Sequence, residues 1–120
     1  MTNKNFPTDE IITMMLTDMI EAGEINYWAT NVKALRGNDE HGMIISATLQ
    51  EFDEDTGKPL PKVHRVNIAT IKDAIQKILD GKVEIRSDIK KSMADEDWDY
   101  DGESGDVVIQ VACLGEIVYG

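Results

Sequence analysis

The chain has little that could support covalent or metal chemistry. Its one cysteine, Cys113, excludes an internal disulfide, and its setting in Val111-Ala112-Cys113-Leu114 suits a small apolar side chain packed in a core strand. The two histidines, His41 and His64, are remote from that thiol in sequence, so nothing ties a base to it. There is no glycine-rich phosphate loop ahead of a helix, no His/Cys metal spacing and no elbow serine. Carboxylates are plentiful, yet no pair stands out whose pKa values would be driven apart. These absences argue against an enzyme, and no cofactor is expected. No apolar run approaches the ~20 residues of a membrane span, and Met1-Thr2-Asn3-Lys4-Asn5-Phe6-Pro7 lacks the apolar core and cleavage site of a signal peptide. The expected location is the cytoplasm, with no membrane partner.

Basic residues are scarce too, except in one place. Lys58 to Lys91 holds nine Lys/Arg against four Asp/Glu, a formal +5, and the rest of the chain holds three against nineteen, a formal −16. The net charge of −11 is therefore dipolar. Seven of the twelve residues from Asp95 to Asp106 are acidic and none is basic. Such a run repels nucleic acid, so direct DNA binding is not expected, whereas the basic segment can hold phosphate.

The 120 residues fit one domain with one core. A first helix is expected over Asp9 to Ala22. Thr8 is its N-cap, Asp9 and Glu10 suit its N-terminal dipole, and Gly23 can end it in the left-handed conformation. Ile11, Ile12, Met15, Leu16, Met19 and Ile20 make its apolar stripe. A short strand through Val32 to Leu35 is closed by a turn at Arg36-Gly37-Asn38-Asp39. Met43 to Phe52 reads as a half-buried strand with Met43, Ile45, Ala47 and Leu49 on one face and Ser46, Thr48 and Gln50 on the other. Asp53 to Pro59 reads as an exposed hairpin end, and Val63 to Ile68 as the returning antiparallel strand.

A second helix starts at Ala69 or Thr70, puts Ile68, Ile71, Ala74, Ile75, Ile78 and Leu79 on one face, leaves Lys72 and Lys77 off it, and ends at Gly81. A shorter one starts at a Ser87 cap and runs to about Ala94, with Ile89 and Met93 inward. Val107 to Cys113, β-branched and apolar on both faces, fits an interior strand, and Gly115 to Gly120 completes the sheet. The expected fold is a single α+β domain, a mainly antiparallel sheet with about three helices on one face.

Two candidate sites stand beside plainer readings. Asn26, Tyr27 and Trp28 could form a stacking platform with an amide to read a base edge, and His64 and Arg65, with Lys62, could supply phosphate donors. Equally, Trp28 and Tyr27 could fill a core edge. The second candidate is the acidic loop, where Asp95, Asp97, Trp98, Asp99, Tyr100 and Asp101 put aromatics amid one sign of charge, an interface composition. Asp97-x-Asp99-x-Asp101-Gly102 also matches the first half of a calcium loop, but the closing Glu is replaced by Val108, so no metal is assigned.

Gly23-Glu24-Ile25-Asn26-Tyr27-Trp28-Ala29 and Asp106 to Gly120, ending Gly115-Glu116-Ile117-Val118-Tyr119-Gly120, together resemble small proteins encoded by phages and prophages. Those proteins carry a Gly-Gly-Ile-Asn-Tyr-Trp-like segment after an N-terminal helix and a Gly-Glu-x-x-Tyr-Gly-like end. Here Glu24 stands in place of the second glycine. The resemblance implies a phage accessory protein in an infected bacterial cytoplasm, and it brings no catalytic residue with it. For that class the expected action is inhibition of a bacterial defence component by binding. The preferred mechanism is sequestration of a nucleotide-type signal by Asn26, Tyr27, Trp28, His64 and Arg65, in a homo-oligomer that seals the pocket. The alternative is docking of the acidic loop on a nucleic-acid-binding surface of a nuclease or CRISPR effector. A structural or regulatory phage protein is a third reading.

Overall fold

The computed structural model describes residues 6–38 and 42–120. Asp39, His41 and the first five residues of the N-terminal segment lie outside the described residues. The order is α1 (Asp9–Glu21), β1 (Ala29–Arg36), β2 (Ile44–Glu51), β3 (His64–Asn67), α2 (Ile68–Leu79), α3 (Ser87–Met93) and α4 (Gly102–Leu114). The domain is α+β, with a three-stranded antiparallel sheet ordered β1-β2-β3.

Local chemistry sets most of the boundaries. Thr8 accepts the Ile11 N–H at the start of α1, and Gly23, at φ +70°, turns the chain away beyond it. The left-handed region costs a side-chain-bearing residue steric strain that glycine escapes. Asn67 and Thr70 cap α2 reciprocally, each side chain bonding the other's backbone N–H. Of the expected α2 face, Ile71, Ala74, Ile75 and Ile78 are buried, while Ile68 and Leu79 at its two ends are only partly so. Ser87 begins α3 but does not cap it: Arg86 holds the cap position and makes no side-chain cap bond. Ile89 and Met93 point inward.

The sheet alternates across β2 and β3. Ala47 pairs Val66 and Leu49 pairs His64 on the buried face, while Thr48 pairs Arg65 and Ser46 pairs Asn67 on the other. Expectation fails at the start of β2. A register shift where β1 passes from Leu35 to Arg36 puts Ile44 fully inside and leaves Ile45 39% exposed. Such a bulge inserts one extra residue and exchanges the two faces beyond it. The Ile44 N–H is satisfied across the core by the Thr17 hydroxyl at 2.9 Å. On the outer side of β1 no strand is present among the described residues, and its pairing with β2 is broken between Thr30 and Lys33, where Asn31 has φ +52°. The hairpin end over 53–59 is exposed as expected, with the Asp53 carboxylate accepting the N–H groups of Asp55 and Thr56.

The larger correction is at the C-terminal end. Val107 to Cys113 is not a strand but the body of α4, and Gly115 to Gly120 adds no strand to the sheet. Four consecutive residues, Val108, Ile109, Gln110 and Val111, are buried, because α4 packs against α1, α2 and β3 together. A helix enclosed on most sides loses its polar stripe and with it the period that would mark it. Among the described residues the helices therefore number four, where about three were expected. No helix among the described residues is long and apolar enough to cross a membrane.

Candidate functional site

The acidic loop is the product of a helix start. Asp101 accepts the Ser104 N–H at 2.8 Å, and the Ser104 hydroxyl accepts the Asp101 N–H at 2.9 Å, a reciprocal cap that opens α4. The Asp101 carboxyl is held below its usual range mainly by that backbone donor. The half-matched calcium spacing thus ends in a cap and a first helical turn, with Gly102 inside α4. Among the described residues no group of three or more His, Cys, Asp or Glu could hold a metal ion.

The two aromatics of the loop face inward. Trp98 is 1% exposed and belongs to the core, with Tyr100 set against it edge-on at 5.7 Å. The Tyr100 hydroxyl donates to the Asp18 carboxylate of α1. Burial first, then that carboxylate, pushes the phenol pKa up. Expected as partner contacts, Trp98 and Tyr100 instead pin the loop to the domain. Asp95, Asp97 and Asp99 remain exposed and form no ion pair among the described residues. The Asp95 carboxylate also accepts the Asp97 N–H, tightening the turn.

Asn26, Tyr27, Trp28, His64 and Arg65 do not converge on one surface. Trp28 is 1% exposed, its ring stacked on Tyr119 with centroids 5.6 Å apart, and its indole N–H donates to Asp106 at 2.8 Å. His64 is buried on the inner face of β3 while Arg65 points to the outer one. Strand alternation alone separates those two. Asn26 lines a shallow depression beside β1, and Tyr27 lines a different cleft at the start of α4.

Trp28 and His64 are instead joined through a polar network absent from the expected residues. The Tyr119 hydroxyl donates to Glu51 at 2.5 Å, and the other Glu51 oxygen lies 3.1 Å from His64 Nε2. The Tyr119 bond first, with His64 behind it, holds the Glu51 carboxyl low, and the same carboxylate pushes Tyr119 up to about 12. Asp106 receives the Tyr27 hydroxyl as well as the Trp28 indole. All three tyrosines of the chain therefore donate to carboxylates. At the centre Gln110, fully buried, accepts the Val118 and Tyr119 N–H groups at 2.9 Å and donates to the Tyr119 carbonyl at 3.0 Å. One side-chain amide serves the terminal segment as a neighbouring strand would. A lone glutamine in the apolar run Val107 to Leu114 was the available signal for it. Cys113, half-buried, has its thiol pushed up to about 12 by burial, which makes it a poor nucleophile.

The basic segment is partly neutralised at home. Lys72 pairs with Asp9, Lys77 with Asp73, and Arg86 with both Asp88 and Glu103. These pairs are exposed and screened, so they contribute little stability, but they lower the free positive charge near α4. Comparison with protein-family models, with curated proteins and with solved structures finds no match to this chain.

Proposed function

We propose that the protein is a non-catalytic inhibitor whose acidic loop docks on a basic, nucleic-acid-binding surface of a bacterial defence protein. The observation that carries this reading is the loop's construction. Asp95, Asp97 and Asp99 are exposed and without ion-pair partners among the described residues, on a backbone fixed from beneath by Trp98, Tyr100 and the Asp101 cap. A rigid, uncompensated acidic loop reduces the ordering cost of association and steers a positively charged partner toward it. The phage setting rests on the resemblance of the Asn26-Tyr27-Trp28 segment and the Gly115-to-Gly120 end. Nucleotide sequestration is the weaker mechanism, since Trp28 and His64 are buried, Arg65 faces away, and phosphate would meet carboxylates near Tyr27.

The test is phage plating on defence-positive bacteria that express the chain or its Asp95→Asn, Asp97→Asn, Asp99→Asn variant. The chain should restore plaques and the folded variant should not. Binding of the purified protein to the affected defence protein should weaken steeply with salt. Undiminished protection by the variant sinks the docking loop, and nucleotide released from the heat-denatured protein would favour sequestration instead.

A further inference from the structure

At the start of α4 an open cleft of about 670 Å³ lies between the loop after α1, the approach to α3 and the terminal segment. Its carboxylates are Glu24, Glu103 and Asp106, against one cation, Arg86. That guanidinium is already engaged. It donates to Asp88 at 2.7 and 3.0 Å and to Glu103 at 2.8 and 3.3 Å. An incoming anion would have to displace two carboxylates to reach it, and would face Glu24 and Asp106 unscreened. Phosphate and carboxylate ligands are excluded on charge.

The walls are apolar. Ile85, Ile89, Val107 and Ile117 line the cleft, and Tyr27, 51% exposed, stands at its side. Glu24 is exposed, forms no ion pair among the described residues, and lies close over the start of α4, where a Cβ on Gly102 would come within 2.9 Å of its carboxylate. Asp106 is differently placed, its oxygens already receiving Tyr27, Trp28 and Gln110. Glu24 is therefore the carboxylate with open acceptor capacity. A neutral apolar ligand would leave it buried and unpaired, which is costly. A cation on an aliphatic stem satisfies both halves: methylenes against the isoleucines and valine, charge against Glu24, and the Tyr27 ring beside it. A guanidinium fits better than an ammonium, because its planar fork matches a carboxylate in two bonds and is less costly to desolvate.

We infer that this cleft is the anchor for an arginine side chain projecting from the partner protein. The inference rests on the docking reading above and names its second contact: the loop attracts the basic surface, and the cleft seats one residue of it.

The probe is Nα-acetyl-arginine N-methylamide, titrated into the whole protein with backbone amide shifts as readout, beside the same compound built on citrulline, its uncharged isostere. The arginine compound should move Glu24, Tyr27, Val107 and Ile117 saturably, and the citrulline compound should not. Ile117→Lys, at a site already 38% exposed, should put a tethered ammonium in the cleft and abolish the response, with the remaining amides keeping their dispersion. Glu24→Gln should weaken it. Shifts confined to residues 95–101, equal shifts with citrulline, or no shifts overturn the inference. The two readings separate in the plating assay. Ile117→Lys that still protects, while the Asn loop variant does not, removes the cleft and leaves the loop; an Asn loop variant that still protects removes the docking reading itself.

Discussion

Replacing Gln110 with Met should be among the most damaging single changes that preserve the volume of a buried side chain. Methionine fills a similar space but can neither accept the Val118 and Tyr119 N–H groups nor donate to the Tyr119 carbonyl. Three backbone hydrogen bonds at about 1 kcal/mol each give a net loss near 3 kcal/mol. The loss is bounded from above, because the terminal segment can peel away and hydrate its own groups. Peeling then forfeits the Trp28–Tyr119 stack and the Tyr119–Glu51 bond instead, so the cost does not fall far below the same figure. With an unfolding entropy of about 2.1 cal/mol/K per residue, 3 kcal/mol corresponds to a drop in Tm of roughly 12 °C for a chain of this length. Thermal and urea melts followed by circular dichroism measure it. A loss under about 1 kcal/mol would mean that water replaces the amide without penalty, and the reasoning about the terminal segment would be wrong.

Three further outcomes follow from the same contacts. Thr17→Val strips the hydroxyl that accepts the buried Ile44 N–H and should cost about 1–3 kcal/mol in urea denaturation; a neutral result would show that the bulge in β2 relaxes to find another acceptor. Gly105→Ala gains helix propensity of about 1 kcal/mol, but its Cβ would sit 2.5 Å from the sulfur of Met19, itself 2% exposed. Overpacking of about 1–3 kcal/mol should prevail and lower Tm, and a rise in Tm would show that Met19 has somewhere to go. For pH, the depressed Glu51 carboxyl contributes stability above its ordinary value of 4.5 that is lost as pH falls through its folded value. Tyr119, raised from 10.0 to about 12, contributes stability that is present below pH 10 and lost between there and 12. Tyr119→Phe should flatten both limbs of a stability–pH profile, and limbs unchanged by it would place the linkage elsewhere.

Where periodicity and capping agreed, the sequence was legible. Thr8, Gly23 and Gly81 mark real helix ends, and the middles of the α1 and α2 stripes are buried, with Ile11, Ile20, Ile68 and Leu79 at their ends partly so. Reading failed at α4 for a physical cause. Its β-branched residues suit strands, its enclosure removes the polar stripe, and its start signal, Asp101-x-x-Ser104, lay inside a run that draws the eye to charge or calcium. Intrinsic preference there gives way to tertiary packing. The candidate site divided along the same line. The exposed aspartates stood where composition put them, while Trp28, Trp98 and His64 went into the core, since burial of a large ring outweighs any local pattern around it. The Glu51–Tyr119 and Gln110 contacts join positions far apart in sequence, and no short motif announces such pairs.

The border strand β1 has a consequence for assembly. An unpaired strand edge invites another chain to extend the sheet, and a second copy of this protein would always be at hand to do so. Here the left-handed turn at Asn31 and the breaks in register before Lys33 and after Leu35 interrupt the ladder, leaving only the stretch from Lys33 to Leu35 in continuous register. Arg36, just beyond it, donates to the Gly42 carbonyl and pairs with Glu21, so Lys33 alone carries charge along that stretch. An edge that short, with a lysine on it, disfavours extension of the sheet by a second copy.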